Sequence, residues 1–243
     1  MNMANNVIAY VGNNSFDIIL YLSSVLQKLG RKVLIADYSE LMALTCSIPA
    51  VSGIDTYMDF NCYMNVDFTR KAVDEAIIAG YDDVLLDCGM GKPAFNTNLI
   101  TKLVFVSDMF EFNLKRLSQI PFYDRLTIKK ELLVRQVADI NISSEQIAAI
   151  LNKNISKVEL LYYDEADYQN ALLCNYNKIT SLAGISGRLR KYLLDELAQM
   201  VENTSARELK TAYNKARKAY KSGVIEYEHS TVLVTVPWAG TNK

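Results

Sequence analysis

Short apolar segments alternate with amphipathic ones along the first part of the chain. Residues 7–11 form an apolar run, residues 17–29 repeat apolar positions at helical spacing, and residues 32–36 form a second apolar run. Gly30 follows the amphipathic segment, as glycine often does after the last turn of a helix. The order strand, helix, strand predicts a βαβ unit with parallel strands at the start of the fold.

The alternation continues through most of the remaining chain. Ser143 and Gln146 have the spacing of a capping box at a helix start. Uniformly apolar strands separated by helices are typical of a mostly parallel sheet covered on both faces, so the predicted fold class is doubly wound α/β. We predict further helices at residues 68–79, 111–126, 143–151, 165–174 and 188–201, and further strands at residues 83–87, 103–107, 131–136 and 157–161.

The C-terminal part of the chain has a different character. Residues 205–221 carry six basic side chains against one acidic side chain, Glu208, and residues 224–236 resemble a hairpin. We therefore predict an α/β domain over residues 1–203 and an extension over residues 204–243 that consists of a basic helix and a hairpin.

Composition excludes several classes of protein. Half of the 243 residues are apolar or aromatic, which is enough for a full core, and the net charge is −1, which gives no global attraction to nucleic acid or anionic membranes. The four cysteines form no metal-binding pattern with the single histidine, His229, so no metal site is expected. Because no basic leader and no long apolar run is present, we expect a cytoplasmic protein.

The candidate site lies where the predicted strands end. In open α/β sheets ligands bind beyond the carboxyl ends of the strands, which points to residues 12–16, to Asp37 and to residues 87–91. These segments contain a glycine, two asparagines and two aspartates, and a glycine-rich stretch, Cys-Gly-Met-Gly, runs from Cys88 to Gly91.

The segments around this candidate site resemble the ParA/MinD group of deviant Walker ATPases, which have a P-loop NTPase fold. The most similar stretch is residues 26–37, Leu-Gln-Lys-Leu-Gly-Arg-Lys-Val-Leu-Ile-Ala-Asp. Residues 81–91 resemble the Walker B strand and switch segment of that group, with Asp87 at the strand end and Gly91 four residues later. Residues 102–108 and 161–165 are similar to later parts, and the resemblance covers residues 5–202. It implies a dimeric nucleotide-binding protein.

The phosphate loop departs from the family. The family sequence Lys-Gly-Gly-x-Gly-Lys-Ser/Thr has as its ungapped counterpart Tyr-Val-Gly-Asn-Asn-Ser-Phe at residues 10–16, in which only Gly12 is retained. Ser15 and Phe16 replace the lysine and the magnesium-binding hydroxyl, and Tyr10 replaces the signature lysine. Charge-assisted hydrogen bonds contribute about 1.5–3 kcal/mol each, so we expect little or no ATPase activity.

Some family features are retained. Asn13 and Asn14 tolerate left-handed backbone conformations, which leaves a crude anion-binding nest open. The resemblance implies that Asp37 and Asp87 orient water and magnesium. An aspartate at the end of a parallel strand is equally a common cap for the following loop, and both interpretations stay open at this point.

The basic segment offers a second candidate site, made of Arg207, Lys210, Lys215, Arg217 and Lys218. The family provides precedents for binding DNA or a membrane surface. The apolar positions of the segment are alanines, tyrosines and one leucine, which do not match a membrane-inserting helix. A solvated helix packed on the domain through its tyrosines is the favoured interpretation.

The favoured functional hypothesis is a pseudo-ATPase without catalytic residues, without a cofactor and without a small-molecule substrate. Such a protein would be a homodimeric localisation or assembly scaffold for a pilus or secretion, division or partition machine, as the resemblance to TadZ-like proteins implies. It would bind a protein partner and reach the membrane periphery through that partner. The alternatives are a weak or partner-activated ATPase that uses ATP and magnesium, and a nucleotide-independent DNA-partition protein.

Overall fold

The computed structural model describes residues 6–49, 61–218, 223–227 and 230–234. The strands in these ranges are β1 (Asn6–Gly12), β2 (Val33–Asp37), β3 (Asn61–Tyr63), β4 (Val66–Thr69), β5 (Asp83–Asp87), β6 (Lys102–Ser107), β7 (Lys129–Val137), β8 (Lys157–Tyr162), β9 (Gly223–Tyr227) and β10 (Ser230–Val234). The helices are α1 (Phe16–Lys28), α2 (Glu75–Ile78), α3 (Glu111–Ser118), α4 (Ser144–Leu151), α5 (Glu165–Asn177), α6 (Gly187–Met200) and α7 (Ala206–Lys218).

The described strands form one sheet in the order β10-β9-β3-β4-β2-β5-β1-β6-β7-β8. The seven strands from β4 to β8 in this order are all parallel to one another. Strands β3, β9 and β10 extend the sheet by antiparallel pairing. From β1 the chain first crosses to β2 on one side, whereas β6, β7 and β8 lie on the other side of β1. The carboxyl ends of β1 and β6 therefore flank a topological switch point. This confirms the predicted doubly wound α/β fold class.

Two apolar clusters cover the two faces of the sheet. Alternate residues of β1 point in opposite directions: Ile8 and Tyr10 belong to the cluster under α1, α6 and α7, whereas Val7, Ala9 and Val11 belong to the cluster under α3 and α4. Because side chains alternate across a strand, an apolar strand supplies both layers at once. The central parallel strands are therefore buried on both faces.

Two predicted helices differ from the structure. The helix predicted at residues 68–79 is wrong over its first part, since β4 runs to Thr69 and pairs with β2, and only the single turn of α2 follows, capped by Asp74. Pairing with a central strand overrides local helical periodicity there. The helix predicted to reach residue 126 ends at Ser118, because Pro121 cannot continue it. The capping box of Ser143 and Gln146 is confirmed at the start of α4.

The basic segment forms α7, which packs on α1 and α6. Its buried side chains are Leu209, Ala212, Tyr213 and Ala216. Strand β9 pairs with β3 and with β10, so part of the predicted hairpin is present, while residues 235–236 and His229 lie outside the described residues. Within the described part of the chain, no helix is long and apolar enough to cross a membrane.

Candidate functional site

The loops at the carboxyl edge of the parallel strands enclose a polar cleft of about 590 Å³. Gly12 and Asn14 line it from the first loop, Glu40 and Met90 from the loops after β2 and β5, and Arg116 from α3. The structure therefore brings together the segments that the sequence points to, and it places them at the topological switch point. Glu40 and Arg116 are additions, since the sequence pointed only to Asp37 at the end of β2, and Arg116 lies within α3.

The first loop is short and bonded to its neighbours. β1 extends to Gly12 and α1 begins at Phe16, so three residues connect strand and helix. The N–H of Gly12 donates to the carbonyl oxygen of Gly89 at 2.8 Å, and the N–H of Asn13 donates to that of Val106 at 3.3 Å. Two of the N–H groups that an anion-binding nest would need are thus engaged within the protein.

Residue 12 must be a glycine because its backbone lies against the backbone of Val106 in β6. Its φ is +131°, and a Cβ added there would lie 1.9 Å from the carbonyl oxygen of Val106. Asn14 adopts the left-handed conformation expected of an asparagine, with φ of 62°. Tyr10, in contrast, lies within β1 and is fully buried, so it belongs to the core and not to the loop.

Ser15 and Asp87 contact each other beneath the loop. Ser15 is buried beside Asp87, and the Asp87 carboxylate accepts from the N–H of Gly89 at 3.2 Å. Burial, and then the nearby charge of Asp37, raise the pKa of Asp87 to about 7, although the hydrogen bond from Gly89 and the polar side chain of Ser15 act in the opposite direction. Within the described ranges, Asp87 forms no ion pair.

Both carboxylate oxygens of Asp37 accept hydrogen bonds from the loop that follows β2. One carboxylate oxygen accepts from the N–H and hydroxyl of Ser39, at 3.1 and 2.7 Å. The other accepts from the N–H and hydroxyl of Thr45, at 2.9 and 2.8 Å. Of the two interpretations open for this residue, these contacts are those of a cap for residues 38–45.

The carboxylate of Glu40 lies over the glycine-rich loop at residues 89–91. It accepts from the N–H of Met90 at 3.4 Å, and a Cβ at Gly89 or Gly91 would lie 2.5 or 2.6 Å from its oxygens. The two glycines therefore make room for this carboxylate. This arrangement adds negative charge beside Asp87 at the carboxyl edge.

Arg135 ties the first loop to β7. Its guanidinium forms two hydrogen bonds with the Asp17 carboxylate, at 2.5 and 2.7 Å, and also donates to the carbonyl oxygen of Asn14. Burial lowers the pKa of Arg135 and the Asp17 charge raises it, and the net direction is upward. A single arginine inside an apolar strand was the sequence signal for this pair, but its partner is 118 residues away.

No family model and no curated protein sequence matches the chain. Solved structures do match. A ParA family ATPase from Chlorobium tepidum TLS aligns with a TM-score of 0.53 and 15% identity, over 88% of this chain and 98% of that chain. The MinC:MinD cell division protein complex of Aquifex aeolicus aligns with a TM-score of 0.53 and 13% identity, over 88% and 95%. The chain shares the ParA/MinD fold.

The second candidate site lies at the other end of α1 in this fold. The predicted basic residues, Arg207, Lys210, Lys215, Arg217 and Lys218, are all exposed on the outer side of α7. Lys28 and Arg31, which sequence reasoning missed, join Arg207 and Lys215 around a cleft of about 420 Å³. α1 spans about 20 Å, so the loop site and this basic surface are well separated.

A metal centre is not formed by the described residues. They contain no group of three or more histidine, cysteine, aspartate or glutamate side chains that is arranged to hold a metal ion. Cys88 and Cys174 are buried, and burial raises the pKa of both thiols, so neither has the character of an activated nucleophile.

Proposed function

We propose that this protein is a pseudo-ATPase with the ParA/MinD fold that acts as a localisation or assembly scaffold. The observation that carries the proposal is that N–H groups of the first loop are already bonded within the protein. The N–H groups of Gly12 and Asn13 bond to neighbouring carbonyl oxygens, and Ser15, which is buried beside Asp87, stands at the position where the family has a lysine.

The charges at the carboxyl edge support the same conclusion. Glu40 and Asp108 line the cleft together with Arg116, and Asp87 lies beneath it without an ion pair to any lysine or arginine that the structure describes. Phosphoryl transfer depends on cations and N–H donors that stabilise the phosphate oxygens. The residues present do not fit a triphosphate with magnesium, so the proposed role includes no catalytic step and no bound cofactor.

Exposed apolar side chains support a protein partner. Leu41, Phe110, Ile140 and Tyr163 follow β2, β6, β7 and β8, and each is more than half exposed. Phe110 also stacks on Phe112 with ring centroids 5.3 Å apart. The common position of these side chains at the carboxyl edge of the sheet favours a protein partner there, and one structure with this fold is a MinC:MinD complex. We propose a homodimer that docks a protein partner in the cytoplasm or at the membrane periphery.

Calorimetric titration with ATP and ADP in magnesium tests the proposal. We expect no heat up to millimolar nucleotide, no rise in melting temperature and no phosphate release. Asp87→Ala probes the site, and Asp195→Ala, on the exposed side of α6, is the matched control. Binding that is lost only in Asp87→Ala would overturn the proposal in favour of a weak or partner-activated ATPase.

The basic surface favours one second candidate, a nucleotide-independent DNA-partition protein. Among the residues that the structure describes, Lys28, Arg207 and Lys215 form no ion pair, so their charges are available to phosphates. DNA binding would weaken steeply with salt, and Arg207→Ala with Lys215→Ala would reduce the log–log salt slope by about 2. Lys115→Ala on α3 is the control, and binding unaffected by salt would exclude this candidate.

A further inference from the structure

A third cleft lies between the start of α1, the end of β8 and α5, and it has a volume of about 320 Å³. Its apolar lining includes Phe16, Leu161, Tyr162, Tyr163, Tyr168 and Leu172. The volume is at the lower end of the range for ligand sites, which suits one long side chain and its immediate neighbours. This cleft is separate from the polar cleft over β1 and β6, and Asn14 is the residue that lines both.

The aromatic wall of the cleft is accessible. Tyr163 is 57% exposed and Tyr168 is 47% exposed, and their ring centroids are 6.4 Å apart. The neighbouring Tyr162 ring already holds the guanidinium of Arg188 at 4.9 Å from its centroid. Tyrosine faces attract cations through their negative electrostatic potential, so this wall is chemically suited to an arginine or lysine side chain.

Negative charges outnumber positive charges in the lining of the cleft. The four charged side chains are Asp17, Asp164, Asp167 and Arg135. Asp17 and Arg135 form an ion pair with each other, which leaves the two carboxylates at the start of α5. In the described part of the chain these two form no ion pair and accept only from neutral donors: the N–H of Ala166, and the N–H and hydroxyl of Ser186.

A cation in the cleft would therefore gain two carboxylates, because Arg135, the cation among the described lining residues, is already paired with Asp17. Burial, and to a smaller extent the charge of Asp164, raise the pKa of Asp167, while the hydrogen bonds from Ser186 and the charge of Arg135 act in the opposite direction without reversing the shift. A phosphate-bearing ligand would meet the same two charges with repulsion. Charge complementarity thus selects a positively charged occupant with apolar flanks.

We propose that this cleft binds a segment of a partner protein that inserts an arginine or lysine side chain between apolar side chains. The cationic group contacts Asp164 and Asp167, its methylene groups lie against Tyr168, and the flanking apolar side chains pack on Phe16 and Leu172. This inference rests on the proposed scaffold function and states the chemistry of the partner that the scaffold receives.

Backbone amide NMR spectra of the full chain, titrated with two short peptides, test the proposal. The probe is acetyl-Leu-Arg-Leu-Tyr-amide, and its control carries glutamate in place of arginine. We expect the arginine peptide to shift the amides of residues that line the cleft, and the glutamate peptide to leave them unchanged. Asp164→Asn combined with Asp167→Asn is expected to weaken binding about tenfold.

Matched variants separate binding from folding. Asp195→Asn removes an exposed carboxylate from α6, and Leu173→Ala removes an exposed side chain that does not line the cleft, so both should bind as the unmodified protein does. Tyr168→Ala lowers affinity without altering charge, and melting temperatures establish that each variant is folded. Equal binding of both peptides, shifts outside the cleft, or no shift at millimolar peptide would overturn the proposal.

Further outcomes distinguish this inference from the scaffold function itself. If neither the peptides nor ATP bind, the cleft proposal fails and the pseudo-ATPase proposal stands. If ATP shifts the residues of the cleft, both proposals fail. If the shifts appear on raising the protein concentration without peptide, the occupant is a second copy of this chain, and the peptide proposal is overturned.

Discussion

Asp87 is a carboxyl group in the sheet that forms no ion pair with any cation in the described part of the chain. It is buried beside Asp37 and Ser15, and it accepts a hydrogen bond from the Gly89 N–H. In an unfolded chain an aspartate ionises near pH 4, whereas here the pKa is about 7. The folded protein therefore binds a proton at Asp87 more tightly than the unfolded protein does.

This shift predicts a pH dependence of stability. Because the folded pKa is raised, the contribution of Asp87 is fully present below about pH 4 and is lost as pH rises through about 7, a change of about 4 kcal/mol. Asp87→Asn removes the charge, so we expect it to raise the free energy of unfolding at pH 8 and to change it little at pH 4. Urea unfolding at both pH values measures this, and an equal effect at both would contradict it.

Gly12 shows how one residue fixes the loop. Gly12→Ala places a methyl group against the carbonyl oxygen of Val106 at a left-handed φ, so we expect a loss of about 4 kcal/mol in unfolding free energy. Gly30→Ala is the control, because Gly30 has φ of +81° but open space around it, and we expect a loss of about 1–2 kcal/mol. Equal losses in the two variants would show that the close approach at Gly12 has no energetic weight.

At the scale of elements, Arg135 and Asp17 join β7 to the first turn of α1. The two groups are largely buried and form a bidentate pair. Removal of one partner leaves the other charge buried without compensation, which costs about 3–5 kcal/mol in such pairs. The position of α1 relative to the sheet therefore depends on this pair as well as on apolar packing.

A double-mutant cycle measures that dependence. We expect Asp17→Asn and Arg135→Gln each to destabilise the protein by about 3 kcal/mol, and the double variant to cost clearly less than their sum, with a coupling of about 2 kcal/mol. Chemical denaturation of the four proteins provides the values. Additive losses would mean that the pair contributes no interaction energy of its own.

At the scale of the whole molecule, α7 is part of the main hydrophobic core. Tyr213 and Leu209 belong to the same apolar cluster as α1 and α6. We expect Tyr213→Ala to cost about 3 kcal/mol and to lower the melting temperature by about 6–12 °C in a single calorimetric transition. Lys210→Ala, on the exposed side of α7, should change stability by less than about 0.5 kcal/mol. Two separate transitions would show that residues 204–243 fold as an independent unit.

The fold class was predictable because its signal is local. Buried parallel strands such as β5 and β6 are continuous apolar runs, and α4 has its capping box within four residues. β4 failed as a prediction because pairing with β2, which lies far from it in sequence, decided its conformation. The candidate site was predictable at Gly12, Asp37 and Asp87, which end strands, but not at Glu40 or Arg135, whose roles depend on distant partners.

The sequence by itself determined the order of strands and helices outside β3 and β4, the location of the candidate site at the strand ends and the absence of lysine from the first loop, because each of these follows from residue types at short spacing. Only the tertiary structure decided which hydrogen-bonding groups are occupied. The N–H of Gly12 meets Gly89, and Asp17 meets Arg135. Likewise, the net charge of −1 does not indicate that basic side chains gather around α7 and acidic ones at the carboxyl edge of the sheet. The basic run of α7 is a local pattern in the chain, but only folding adds Lys28 and Arg31 to it and brings Glu40 and Asp108 together at the carboxyl edge.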